Sequence, residues 1–129
     1  MLGFGWSILA RLRADRGDLP GARDALRSAV ARAYEDNDPF ILATALERGI
    51  HVLDRLDLHD AAAVWAGAVV DGPLSRVDHL PARERPLQAY AIGRIRAALG
   101  EQRYIAAAER GSRMSDDELV HHALESLGR

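Results

Sequence analysis

The chain has 129 residues, 48% of them apolar but only 5% aromatic, with no cysteine and a formal net charge of −2. That length suits one domain with a sizeable core, which Ala, Leu, Ile and Val must fill, and this composition favours closely packed helices over a sheet sandwich. The charge makes no electrostatic case for nucleic acid or an anionic membrane, and the absent thiols exclude disulfides, thiolate metal sites and cysteine nucleophiles.

Apolar residues recur at three- and four-residue steps along most of the sequence. Phe4, Trp6, Leu9, Ala10 and Leu12 predict a first helix over residues 4–15. Gly17 suits the left-handed backbone that ends a helix, Asp18 the cap of the next, and Pro20 its first turn, where a missing N–H costs nothing. Arg16-Gly17-Asp18 is therefore read as a turn rather than as an adhesion signal. A second helix over about 19–34 turns Ala22, Ala25, Leu26, Ala29, Val30 and Ala33 inward. Asp38 and Pro39 cap and open a third, which carries Phe40, Leu42, Ala43, Leu46, Ile50, Leu53 and Leu56. The pattern breaks at Asp57-Leu58-His59 and resumes over 60–70, with Ala62, Trp65, Ala66 and Val69 on one side, until Asp71-Gly72-Pro73 ends it. Residues 74–86 show no sustained period, so a long connection with at most one helical turn is expected there. Helices over 87–99 and 101–110 meet at Gly100, and Ser115 with Glu118 forms a capping box before a last helix to Leu127.

The breaks at Gly17, Asp57 and Gly100 lie 40 and 43 residues apart, each between a helix of about fifteen residues and one rich in small residues. Such spacing is the signature of stacked helical hairpins. The expected fold is thus all-α, a single domain of six to seven helices stacked as hairpins. Its antiparallel hairpins would cover about 2–35, 39–71 and 87–111, with a capping helix over 115–127. Residues 6–30, WSILARLRADRGDLPGARDALRSAV, resemble a tetratricopeptide repeat through Trp6, the Leu9-Ala10 pair, the Gly17-Asp18 turn, and Ala22, Leu26 and Ala29. Arg13 stands where that family has an aromatic, and Tyr34 where it has a helix-ending proline, which Pro39 supplies five residues late. Ile92-Gly93 resembles the family's Leu-Gly pair in the third unit, while the second unit matches only through its turn and Ala62.

Residues 43–127 are similar to the C-terminal repeat region of LuxR-type, MalT-like bacterial regulators and of related cyclase-linked ATPase regulators. The most specific part is Leu99-Gly100-Glu101, Ala106-Ala107-Ala108, Gly111 and Met114-Ser115 with Glu118. The resemblance implies a regulatory repeat segment without its ATPase, since the chain has no lysine for a phosphate-binding loop, and without its DNA-binding helices. A helix-turn-helix placed on 87–110 would offer base edges little beyond an Ala-Ala-Ala second helix.

No two histidines stand at i, i+4 beside a third ligand, and adjacent His121 and His122 point about 100° apart, so neither a metal nor a cofactor is expected. Asp15, Asp18, Asp116 and Asp117 fall in turns and helix starts, where capping and dipole effects account for them, and no catalytic residue is assigned. Arg83, Arg85, Arg94 and Arg96 form a basic cluster around helix five. It can meet phosphate or an acidic partner helix, or lie over an Ala-rich helix and pair with Glu84 or Glu101. Phe4 and Trp6 leave an apolar N-terminal edge for a neighbouring domain, or a second copy of the chain, to cover. The start MLGFGWSILARLR lacks a signal-peptide pattern and the apolar runs are too short for a bilayer, so a cytoplasmic protein is expected. The function expected is a non-enzymatic interaction module whose partner is a protein, a peptide or another domain of a larger regulator, with no direct nucleic acid and no membrane. The rival is a small-ligand sensor or enzyme with a pocket between hairpins near residues 74–96, using Arg83, Arg85 or His79.

Overall fold

Three turns of one geometry organise the first half of the chain. In the computed structural model, which describes residues 4–76 and 82–128, Gly17, Asn37 and Asp57 take positive φ of 83°, 50° and 59°. The next N–H in each case, from Asp18, Asp38 or Leu58, donates to the carbonyl five residues back, of Arg13, Ala33 or Leu53, at 2.9–3.1 Å. This pattern satisfies carbonyls that a helix end otherwise leaves open. Asp18 and Asp38 then cap the following helix, accepting from the N–H of Gly21 and from those of Phe40 and Ile41, whereas Leu58 has no side-chain acceptor to do so. Spaced twenty residues apart, the turns join α1 (Gly5–Asp15), α2 (Leu19–Glu35), α3 (Pro39–Arg55) and α4 (His59–Asp71) by the same joint.

Past α4 the regularity lapses. Two 3-10 turns, Pro73–Arg76 and Ala82–Glu84, flank the remainder of the connection, where at most one had been expected. Then come α5 (Arg85–Leu99), α6 (Glu101–Ser112) and α7 (Asp116–Gly128). Helix α5 begins two residues earlier than the periodicity indicates, because Pro86 fits the first turn. The capping box of α7 forms in both directions: Glu118 N–H donates to Ser115 Oγ at 3.2 Å, and Ser115 N–H to Glu118 Oε1 at 3.1 Å. Among the described residues there are seven α-helices and no strand, and no helix is long and apolar enough to cross a membrane.

Helix α3 is the hub, packing on α1, α2, α4 and α5. At the centre the fully buried Trp65 of α4 lies over Gly49 of α3, where any Cβ would strike its ring, with Leu26 of α2 beside them. Helix α4 is buried on all sides from Ala61 to Val69, not only along the stripe of Ala62, Trp65, Ala66 and Val69. The reason is that α3 covers one side and α6 another. Helix α6 packs chiefly on α4 rather than on its chain neighbour α5, and two glycines permit the approach. A Cβ on Gly67 would collide with the Ala108 carbonyl oxygen, and one on Gly111 with that of Val64. Asp60 and Arg103, in the first turns of the two helices, pair at 2.7 Å. Helix α5 reaches α6 at the Gly100 corner, φ 85°, where the Arg96 guanidinium lies 4.5 Å over the Tyr104 ring. Helix α7 returns to α2, whose Arg27 and Arg23 donate to the carbonyls of Leu124 and Leu127 at 2.7 and 3.5 Å.

The same substitution should act with opposite sign at two helical glycines. Gly111→Ala puts a methyl onto the α4 backbone and should lower stability by about 1–3 kcal/mol. Gly93→Ala, on exposed α5 with open space at the Cβ position, should raise it by up to about 1 kcal/mol through helix propensity. Urea midpoints at unchanged slope measure both.

Candidate interaction site

While Gly49 faces Trp65, Arg48 points about 100° away around α3, toward α1 and the start of α5. Its side chain is only 10% exposed, so its N–H groups need partners inside the protein. Nε and Nη2 donate to Oε1 and Oε2 of Glu84 at 3.1 and 3.2 Å, a two-point fork. The remaining Nη1 donates to Ser7 Oγ at 3.1 Å, and the Ser7 hydroxyl donates to the Phe4 carbonyl at 3.0 Å. One turn beyond Ser7 on α1, Arg11 adds a third donor to Glu84 Oε1 at 2.9 Å. The Arg48 hydrogen bond, with the charges of Arg48, Arg11 and Arg83, holds the Glu84 carboxyl below the usual carboxylate range, against burial that acts to raise it.

Beside this cluster lies a narrow cleft of about 20 Å³, room for little more than one water, lined by Arg11, Glu47, Arg48, His51, Leu87 and Gln88 as well as Glu84. An adjoining hollow is bordered by Ile8, Arg83 and Leu87. Two further polar ties fix the walls. At the end of α1, Asp15 Oδ1 lies 2.8 Å from His51 Nε2 and 3.7 Å from Arg55 Nη1. Farther along α3, the buried Asp54 accepts from Arg94 Nε of α5 at 2.8 Å, with His59 Nε2 at 3.4 Å. Arginines from separate helices converge on one point, with apolar side chains at the margin.

The four arginines singled out in the sequence are not gathered into one patch. Arg94 is committed to Asp54, and Arg96 covers Tyr104 with Glu101 3.6 Å away. Arg83 is exposed beside the hollow, and Arg85 is exposed at the first residue of α5. Phe4, 37% exposed, rests edge-on against Phe40 with ring centroids 5.5 Å apart, and Trp6 is half-buried against the core. His79 lies outside the described residues. The residues that do converge, Arg11, Arg48 and Glu84, are separated by up to 73 positions, and no local motif links them. Nor does Arg48 stand out locally, since it follows Glu47 in the stretch between Leu46 and Gly49.

Among the described residues no three His, Asp or Glu side chains gather as metal ligands. No family model, no curated protein and no solved structure matches this chain.

A carboxylate whose pKa is lower folded than unfolded contributes stability that is complete above the unfolded value of 4.5 and is lost as pH falls through the folded one. Glu84→Gln should therefore cost about 2 kcal/mol near neutral pH, as should Arg48→Met, since each strands a charged hydrogen-bonding partner. The gap between wild type and Glu84→Gln should shrink as urea unfolding is repeated from about pH 7 down to about pH 3.

Proposed function

We propose that this chain is a non-enzymatic helical-repeat module that docks protein or peptide partners and serves as a regulatory segment of a bacterial transcription regulator. One observation carries the reading. Helices α1, α3 and the start of α5, alternate elements in chain order, border one open hollow that is lined by Arg11 and Arg48. Ile8 and Leu87 at its margin are 39% and 50% exposed, available to a ligand rather than consumed by the core. The tetratricopeptide resemblance of residues 6–30 supports an array of antiparallel hairpins, in which such a groove receives an extended segment or a helix. In this reading the apolar edge at Phe4 and Phe40 meets a neighbouring domain of the regulator or a second copy. DNA contact belongs to other domains.

The small-ligand rival draws on the adjoining cleft, because Arg11, Arg48, Glu47 and His51 converge there. A random-peptide selection against the folded chain, followed by amide-shift mapping, separates the two. Binders should share a motif and perturb α1, α3 and α5. Failure to enrich any binder, or a metabolite retained in native mass spectrometry that maps to the cleft, would sink the docking reading.

A further inference from the structure

Glu84 stands where a helix-capping carboxylate belongs, at the residue before α5, yet its side chain makes no cap to that helix. It is given instead to Arg48 and Arg11. The three hydrogen bonds it accepts there are those that two guanidiniums offer to any side-chain carboxylate. The two halves of this contact are anchored differently. Arg11 and Arg48 rise from α1 and α3, whereas Glu84, 8% exposed, ends a three-residue 3-10 turn, Ala82–Glu84, that runs directly into α5.

Resting on the docking reading above, we infer that Arg11 and Arg48 form a seat for a side-chain carboxylate of an acidic peptide in a partner protein. Glu84 fills that seat from within the chain until the partner's acid displaces it. Charge argues for this occupant. With Glu84 withdrawn, the charged residues lining the cleft and hollow are Arg11, Arg48 and Arg83 against Glu47 alone. Shape adds the second element of the ligand. Ile8 and Leu87 flank the seat and are half open to water, so the acid should stand next to a large apolar residue that covers them. The tether sets the threshold. An internal carboxylate competes at high effective concentration, so the apparent affinity of a partner falls by the fraction of time that the seat is taken.

The test is a random-peptide selection against the full chain carrying Glu84→Gln, with folding checked by circular dichroism and urea titration. Glu84→Asp, which keeps the charge but shortens its reach, serves as a second variant. Peptides with an invariant Glu or Asp beside a large apolar residue should emerge, and they should bind wild type about tenfold or more weaker than Glu84→Gln, with Glu84→Asp between. Adding Arg48→Met, or replacing the peptide's acid by its amide, should abolish binding. Equal affinity for wild type and Glu84→Gln overturns the inference, as do enriched peptides that need no acid. The second result leaves the docking reading standing, whereas the absence of any binder on this face removes both. Glutarate or inorganic phosphate binding the Glu84→Gln chain as tightly as the peptides would assign the seat to a small anion. A concentration-dependent dimer of that variant would assign it to a second copy. Either outcome overturns the peptide partner.

Discussion

The indole of Trp65 closes against α3 because Gly49 has no side chain, and the rest of the packing is arranged around that contact. It joins three helices at once, since Leu26 of α2 closes the same space. It also fixes the rotation of α3. With Gly49 turned to Trp65, Ile50 and Leu53 go into the core, and Arg48 comes out on the side where α1 and α5 stand. A comparable economy operates on the far side of α4, where Gly67 and Gly111 let α6 approach to backbone contact. Side-chain volume removed at three glycines thus draws α3, α4 and α6 into one stack, with dispersion contacts concentrated where the chain is thinnest.

The outer helices α1 and α5 are held on different terms. Helix α1 buries only Ser7, Ala10 and Ala14, and α5 only Ala91 and Ile95, which is little apolar area for elements of 11 and 15 residues. Polar and charged ties supplement it: Asp15 with His51 and Arg55, Glu84 with Arg11 and Arg48, Asp54 with Arg94. The molecule therefore divides into helices α3, α4 and α6, stacked by close approach at glycines, and outer helices α1 and α5, whose attachment leans on charged and polar ties where salt and pH act. The candidate site lies in the second part.

What could be read in the sequence follows the same division. Local signals were legible, because capping and turn chemistry is decided within a few residues. Gly17, Asp18, Asp38 with Pro39, and the Ser115–Glu118 box all stand in the conformations or hydrogen bonds their types favour. Asp57 was read as a break, but neither it nor Asn37 as a left-handed residue equivalent to Gly17, since a Cβ makes that backbone costly and composition alone does not reveal it. The full burial of α4 was missed because one helix's pattern does not count its neighbours. The arginine seat was out of reach for another reason. Seventeen arginines offer too many pairings, and only the packing of α1 against α3 brings Arg11 and Arg48 to a single carboxylate.

The joints at Gly17, Asn37 and Asp57 also bear on how such a chain can change in length. A helix plus its joint is a quantum of twenty residues, and two quanta restore the original alternation between helices that border the cleft and helices that do not. A gain of forty residues between Arg48 and Gly72 would therefore keep every later helix on its present side, whereas twenty there would exchange the sides and part the Glu84 segment from Arg48. The irregular stretch after α4 has no such bookkeeping. Insertions there alter the reach of the segment that carries Glu84 while leaving the alternation of the helices before it untouched.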